Sequence, residues 1–516
     1  MAKPALEITK NKILHFDEAM TLTGFGRFNL FVLLATGGAL MCVIMETMGM
    51  MYVIPAAECD LQLTLTMKGY ISAASFLGVV SGSHLWGFLA DTRGRKKIIL
   101  TNLTVSFIMT LISSLVPEDW LFVLLRYFNG LFVSGASSIV YAHAGEFHNN
   151  TYRPKVISWM STFVAFGIMT LPALAWLILR SQWSFEIPLL EILFRPWRLL
   201  VVAYGLPSVV FALCIAFIPE SPKYLLTQGK NSEALEILKK IYAVNTGKSP
   251  EEFPVSKVFW DEDINNTKNE NFLKCMWKQT VPLIKQPLAL KTFMVCVLQF
   301  GVFMSTSGLA MWYPEIFNRL ATYERDNPEE EVTLCNAIRY HVNNEELFHN
   351  DTDAALPHCM DSIESEVFTI GIITGSFLAL TYIAIGGLIN MLGKKNLLVG
   401  FFTISSAAGL IAQYLYGSGI LKTLMSLVSI SSTTIGVINA VAVDLYPTNV
   451  RAMALAISLM FGRIGAVTGS HITGLIFYQL CDYTFYIITA INLLLIVVVL
   501  LLPTSPRTPK MIETIT

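Results

Sequence analysis

Twelve apolar, nearly uncharged blocks, each close to the roughly 20 residues that cross a bilayer, dominate this 516-residue chain. They run near 28–54, 69–89, 98–116, 120–144, 156–179 and 198–218, then 291–313, 367–392, 397–416, 421–445, 452–478 and 483–502. No other feature constrains the fold as much. In hydrocarbon every backbone N–H and C=O must be satisfied within the protein, so blocks of this length become helices. Composition agrees: 14% of residues are charged, against roughly a quarter in soluble domains, and 36 Lys and Arg nearly balance 37 Asp and Glu. These values exclude a disordered chain, a nucleic-acid binder relying on bulk basicity, and most soluble enzymes. The first 27 residues are polar and the first apolar run is too long for a signal-peptide core, so no cleavable signal is expected.

Lys and Arg positions set orientation. With the N-terminus in the cytoplasm, the inner segments hold 25 Lys and Arg and the outer ones 7, and the short loops alone show the same bias. Both termini are therefore expected in the cytoplasm. The expected fold is an all-α membrane protein of twelve transmembrane helices in two pseudo-symmetric six-helix halves. Its parts are a cytoplasmic N-terminus (1–27), a first half (28–218), a cytoplasmic linker (219–290), a second half (291–502) and a cytoplasmic tail (503–516). The second half includes an outer loop, 314–366, whose stretch 319–366 holds 12 acidic residues against 3 Arg.

The halves repeat. Gly87-Phe-Leu-Ala-Asp91-Thr-Arg-Gly94-Arg95 after span 2 is echoed by Gly386-Gly-Leu-Ile-Asn390-Met-Leu-Gly393-Lys394 after span 8, at an offset of 299. Glu146 and Arg153 after span 4 are echoed by Asp444 and Arg451 after span 10, at an offset of 298. Pro219-Glu-Ser-Pro222-Lys223 returns as Pro503-Thr-Ser-Pro506-Arg507. Three echoes in chain order describe a six-plus-six pseudo-repeat, a design seen in transporters that rock two halves about a central site.

These residues resemble the major facilitator superfamily: GFLADTRGRKK is similar to its loop signature after span 2, and Arg126-x-x-x-Gly130 to its span 4 pattern. PESPKYLL resembles the sugar and organic-ion porters. DLYPTNVRA and Phe461-Gly-Arg-Ile-Gly465 resemble organic-ion transporters and the synaptic vesicle glycoprotein 2 group, and GFGRFNL, WSFEI and Pro207-Ser208 tilt toward the latter. One departure is the outer loop after span 7, which is only about fifty residues where the vesicle proteins carry a much larger lumenal insertion. Plasma membrane and vesicle membrane both stay open. The resemblance implies that Asp91, Arg95, Glu146 and Arg153 form a cytoplasmic gate that clasps helix ends, with Asn390, Lys394, Asp444 and Arg451 as its counterpart. Asn390 replaces a carboxylate, so the second clasp is expected to be weaker.

Ionisable groups at membrane depth need a partner, a cavity or a role. Glu46 sits well inside span 1, suited to proton coupling or to pairing with a cation. Arg126 in span 4 and Arg463 in span 11 are the deep cations, and either could pair with Glu46 or meet an anionic substrate. Span 7 carries Gln299, Ser305, Thr306 and Ser307, and span 10 carries Ser429, Ser431, Ser432, Thr433, Thr434 and Asn439. Glu46, Arg126, Gln299, Asn439 and Arg463 are the candidates for a substrate and coupling cavity. Gly78-x-x-x-Gly82, Gly371-x-x-x-Gly375 and Gly465-x-x-x-Gly469 are read as packing and sliding surfaces between the halves. Trp312 and Tyr313 fit an outer aromatic belt.

Cys335 and Cys359 in the outer loop are candidates for a disulfide, and Asn350 is the glycosylation candidate. In the linker, Ala234, Leu235, Leu238, Ile241 and Tyr242 mark one face of an amphipathic helix with Ser232 as its cap. No GxxxxGK[ST] phosphate loop, hydrolase nucleophile motif or metal spacing occurs, so neither an enzyme nor a cofactor is expected. The expected partners are a small-molecule substrate, protons as coupling ion, and the bilayer, for a monomer that binds no nucleic acid. The leading function is secondary active transport, by alternating access, of a small organic ion or polar metabolite. The competing one is a non-transporting receptor or vesicle scaffold.

Overall fold

The computed structural model describes residues 12–181, 183–188, 192–260, 280–329, 333–340, 363–446 and 448–503. The first half comprises α1 (Arg27–Ala57), α2 (Leu65–Arg93), α3 (Arg95–Ser114), α4 (Asp119–Glu146), α5 (Arg153–Leu179) and α6 (Pro196–Phe217). The second comprises α7 (Ala289–Asp326), α8 (Ser365–Leu392), α9 (Lys394–Tyr414), α10, α11 (Thr448–Gln479) and α12 (Thr484–Leu501). α10 runs as Ser418–Val428, tightens into a 3-10 segment at Ser429–Thr433 and resumes as Thr434–Leu445. Among the described residues eleven helices are long and apolar enough to cross a membrane. α2 passes as a pair bent by 44° between Leu65–Ser83 and Leu85–Arg93. The fold is an all-α, twelve-helix membrane bundle.

The repeat seen in the residues is carried by packing. α1 lies against α5 and α3 against α6, and in the second half α7 lies against α11 and α9 against α12. The halves meet along α2 with α11 and α5 with α8, and where the Met50–Ala57 end of α1 touches α7.

Local chemistry explains the helix junctions at one end of the bundle. Gly94, between α2 and α3, has φ +101°, a region that disfavours side chains, and a Cβ there would lie 2.4 Å from Glu220. Glu220, the acid of the PESPK stretch, accepts from the backbone N–H groups of Arg95 (3.0 Å) and Lys96 (3.1 Å) at the start of α3. A carboxylate there satisfies orphan donors and complements the helix dipole. The linker helix Asn231–Thr246 buries Ala234, Leu238 and Ile241. It starts ahead of Ser232, the expected cap; Lys230 precedes it and pairs with Glu233 at 2.9 Å. Asn245 then joins the linker to the N-terminal segment, donating to Asn29 Oδ1 (2.7 Å) and accepting from Phe28 N (3.1 Å). Lys12–His15 pairs in parallel with Val255–Phe259. The end of the bundle holding these pieces is called the linker end, and the opposite one the loop end.

The outer segment expected from 314 opens as helix, since α7 continues to Asp326 and Ile316, Phe317, Leu320 and Tyr323 keep a buried face beyond Pro314. Two expectations need correction. Trp312 and Tyr313 are not belt residues: both are buried, with the Trp312 indole donating to Ser470 O (2.7 Å) and the Tyr313 hydroxyl to Met425 O (2.6 Å). Cys335 does not pair with Cys359, which lies outside the described residues along with Asn350. Cys335 pairs with Cys481, with Cα atoms 5.6 Å apart, because the outer segment packs over the turn between α11 and α12.

The three small-residue spacings also separate. Gly78 and Gly82 sit against the α4 backbone, and Gly465 and Gly469 against that of α7, so both close helix pairs inside a half. Only Gly371 and Gly375 face the other half, and a Cβ on Gly371 would lie 2.3 Å from the Tyr52 hydroxyl.

Candidate functional site

A cavity of about 1480 Å³ lies between the halves, larger than the roughly 300–1,000 Å³ of ordinary ligand pockets. Its walls come from α1, α2, α4 and α5 on one side and α7, α8, α10 and α11 on the other. Arg153 at the start of α5 and Lys394 at the start of α9 mark its reach toward the linker end. Most of the wall is aliphatic, methionine or aromatic. The polar exceptions include Ser83, Ser137, Thr306, Ser429, Asn439 and Arg463.

The proposed cavity residues divide three ways. Arg463 and Asn439 are on the wall. Arg463 reaches across the seam to the hydroxyls of Ser83 and Ser137, the latter at 3.4 Å. Gln299 is fully buried beside the cavity and donates to Asn439 Oδ1 at 2.7 Å, holding that amide in place. Glu46 and Arg126 are not on the wall, contrary to expectation.

Glu46 and Arg126 are both wholly buried inside the first half, with Glu46 Oε2 3.6 Å from Arg126 Nη1. The carboxylate accepts from Thr110 Oγ1 (3.0 and 2.8 Å) and Asn129 Nδ2 (3.1 Å). The guanidinium donates to Thr110 Oγ1 (3.3 Å) and Ser113 Oγ (2.5 Å) and stands over the Phe122 ring. α1, α3 and α4 thus contribute one polar knot, and Gly205 of α6 makes room for it, since a Cβ there would lie 3.0 Å from Glu46 Oε1. A charged pair so far from water persists only when its remaining lone pairs and protons are met by hydrogen bonds. The knot is a protonatable group one helix away from the cavity.

At the linker end, Arg95 pairs with Asp91 (3.2 Å) and Glu146 (3.0 Å), all within the first half. Arg153 joins Asp17 (3.7 Å) and Gly145 O (2.9 Å). In the second half Lys394 donates to Ala440 O at 2.9 Å. The side chains of Asn390, Asp444 and Arg451 lie outside the described residues.

The loop end holds a cluster that the residues alone did not suggest. Lys68 of α2 pairs with Glu58 (2.7 Å) and, across the seam, with Glu315 of α7 (2.8 Å). The same Glu315 oxygen meets Arg319 (3.0 Å) and the Tyr478 hydroxyl of α11 (2.9 Å). Lys68, Glu315 and Arg319 are buried. Burial pushes the Glu58 carboxyl above its ordinary range while Lys68 pulls it back. One signal was available: Glu315 and Arg319 are four residues apart and flanked by apolar Ile316, Phe317 and Leu320, the pattern of a continuing helix. Next to the cluster, Tyr52 stacks on Phe368 at 5.9 Å, also across the seam.

Comparison with known proteins adds the family. The description "Sugar (and other) transporter" matches residues 56–343, and "Major Facilitator Superfamily" matches residues 352–514. Synaptic vesicle glycoprotein 2B of Homo sapiens is 28% identical over 321 residues, covering 58% of this chain and 47% of the relative. Synaptic vesicle glycoprotein 2C of Rattus norvegicus is 29% identical over 321 residues, covering 58% and 44%. The chain spans about half the length of the curated relatives it matches. Among solved structures, the inward-open xylose transporter XylE from E. coli aligns with a TM-score of 0.66 and 15% identity, over 94% of this chain and 98% of that one. Its partially occluded inward-open form aligns with a TM-score of 0.64 and 15% identity, over 91% and 96%. These likenesses concern the fold.

Proposed function

Because the chain belongs to the sugar (and other) transporter family of the major facilitator superfamily, we propose that it is a secondary active transporter working by alternating access. The observation that carries this reading is the cavity between the halves, which extends to Arg153 and Lys394 at the linker end, while at the loop end the buried ion pair of Lys68 and Glu315 joins the halves. With the linker end in the cytoplasm, as the Lys and Arg count favours, this is an inward-facing arrangement. The substrate is a small organic ion or polar metabolite bound between the halves. Its coupling ion is the proton, carried by Glu46. Protonation of that carboxylate frees Arg126 from its partner, and the freed cation then re-forms bonds within α3 and α4. The link to the other half is α1, which carries Glu46 on one side and lines the cavity with Val43, Ile44 and Met48 on another, so repacking of the knot reaches the surface between the halves.

The test is uptake of a labelled metabolite library into proteoliposomes at two pH values. Wild-type protein accumulates at least one compound, faster with a proton gradient directed along the substrate path. In Glu46→Gln, uptake loses its pH dependence; a variant with full, pH-dependent uptake removes Glu46 from coupling. The similarity to synaptic vesicle glycoproteins favours a second reading, a non-transporting membrane receptor or scaffold. A folded protein that moves no library member at either pH would select it.

A further inference from the structure

Glu58, just past the end of α1, shares Lys68 of α2 with Glu315 of α7: the ammonium lies 2.7 Å from Glu58 and 2.8 Å from Glu315. The two carboxylates belong to different halves, so one cation bridges two like charges across the seam. They are not equivalent. Glu315 also meets Arg319 (3.0 Å) and the Tyr478 hydroxyl (2.9 Å). The ion pair of Glu58 among the described residues is with Lys68 alone. Glu58 is also the member that water reaches most: 14% of its side chain is exposed, against 2% for Lys68 and 5% for Glu315. A proton arriving from the loop side therefore meets Glu58 first.

The surroundings decide what that proton does. Burial pushes the Glu58 carboxyl above its ordinary range, Lys68 pulls it back, Glu315 pushes it up again, and Arg319, acting less strongly than Glu315, pulls it down. Parting of the halves would hydrate the carboxyl and take Glu315 and Arg319 away, leaving Lys68, which belongs to the same half. The closed seam thus holds the proton more firmly than an open one, and by linkage the proton holds the seam closed. Other charged groups near this end are engaged elsewhere. Asp60 turns to Arg198 (2.8 Å) and Arg195 (3.6 Å) beside α6, and Glu366 of α8 pairs with Lys422 (2.7 Å). α5 has no ionisable side chain between Lys155 and Leu179, and His471 of α11 packs against Gly69 and stacks on Tyr70. We infer that Glu58 is a proton-binding site at the outer face of the seam: a proton taken from the loop side onto its carboxylate removes the repulsion between Glu58 and Glu315 and latches the halves there. The latch favours the arrangement open at the linker end. The inference rests on the reading of the two halves as bodies that part in transport, and it is separate from Glu46, whose partner Arg126 lies within the first half.

The test is the rate at which a membrane-impermeant maleimide labels Phe317→Cys, on the cavity wall, in sealed vesicles with the loop end outward. At each outer pH the rate is divided by that of N-acetylcysteine, so that thiol ionisation cancels. Between pH 8 and pH 5 the normalised rate of the otherwise wild-type protein should fall about tenfold, which corresponds to about one pKa unit between the open and closed states. Glu58→Gln, which mimics the protonated carboxyl, should label slowly and equally at both values. Glu46→Gln and His471→Gln should keep the wild-type response. The inference is overturned by a normalised rate that stays flat or rises on acidification, by a response that persists in Glu58→Gln, or by one that is lost in Glu46→Gln or His471→Gln. The wild-type rate and the two control variants carry the test where Glu58→Gln does not fold. Uptake into proteoliposomes separates this inference from transport itself. A pH-dependent latch in protein that moves no compound keeps the proton site and removes transport, whereas uptake with a flat normalised rate does the reverse.

Discussion

The two ends of the bundle use the same residue types differently. At the linker end the partners of Asp91, Arg95, Glu146 and Arg153 among the described residues lie in the first half, the N-terminal segment and the linker. At the loop end Lys68, itself paired with Glu58, reaches Glu315 of the other half, which Arg319 and Tyr478 hold from their own side. Charge at a helix end therefore does not by itself make a gate. What decides is whether the partner lies on the same rigid body. A pair inside one half moves with it and sets no preference between states. A pair across the seam must break when the halves separate, so its whole strength bears on that equilibrium.

This contrast predicts graded effects, read by the rate at which a membrane-impermeant maleimide labels Phe317→Cys, a cavity residue near the loop end. Lys68→Ala should be the most severe, leaving Glu58 and Glu315 facing each other without their shared cation. Breaking a buried pair costs about 3–5 kcal/mol, so labelling should rise by about two orders of magnitude or more. An unchanged rate would mean that the cluster does not hold the seam. Glu146→Gln comes next but in another observable: it should lower the thermal midpoint, from a loss of about 1.5–3 kcal/mol for a bond to a charged group, and leave labelling as it was. If labelling rises as well, the linker-end network spans both halves after all. Tyr478→Phe removes one hydroxyl from Glu315 inside the second half, so it should lower the thermal midpoint by the weight of about 1 kcal/mol and leave labelling near the wild-type rate; faster labelling would mean that this hydroxyl helps to hold the seam. Asp91→Asn should have the smallest effect. That carboxylate is largely exposed, and exposed pairs contribute about 0–1 kcal/mol. Any uptake measured for the wild type should be kept by this variant, and a slowed rate at unchanged surface expression would give Asp91 a part in gating that its pairing inside one half does not.

Legibility followed the same line. Helix positions were readable because membrane partition is a local sum over about 20 residues. The deep acid and the deep bases were visible as types, since Glu46, Arg126 and Arg463 interrupt apolar runs. Their assignment was not. Arg126 closes on Glu46 and Arg463 does not, because α4 delivers its Arg into the pocket between α1 and α3 while α11 faces the cavity. PESPK was visible as a motif and silent about its work, which is the capping of a helix 125 residues earlier. The cysteines misled through proximity in the chain: Cys335 has a neighbour 24 residues on, yet closes with one 146 residues away.

The residues by themselves determined the solvent, the twelve apolar spans, the twofold repeat and the placement of charge at helix ends. Each depends on transfer energies and spacings that act within one or two helical lengths. Only the tertiary structure decided which charges share a body, which glycines face the other half, and which end of the cavity is held shut. Those depend on contacts such as Lys68 with Glu315, 247 residues apart, whose pairing is set by how helices pack and not by anything either residue's neighbours encode.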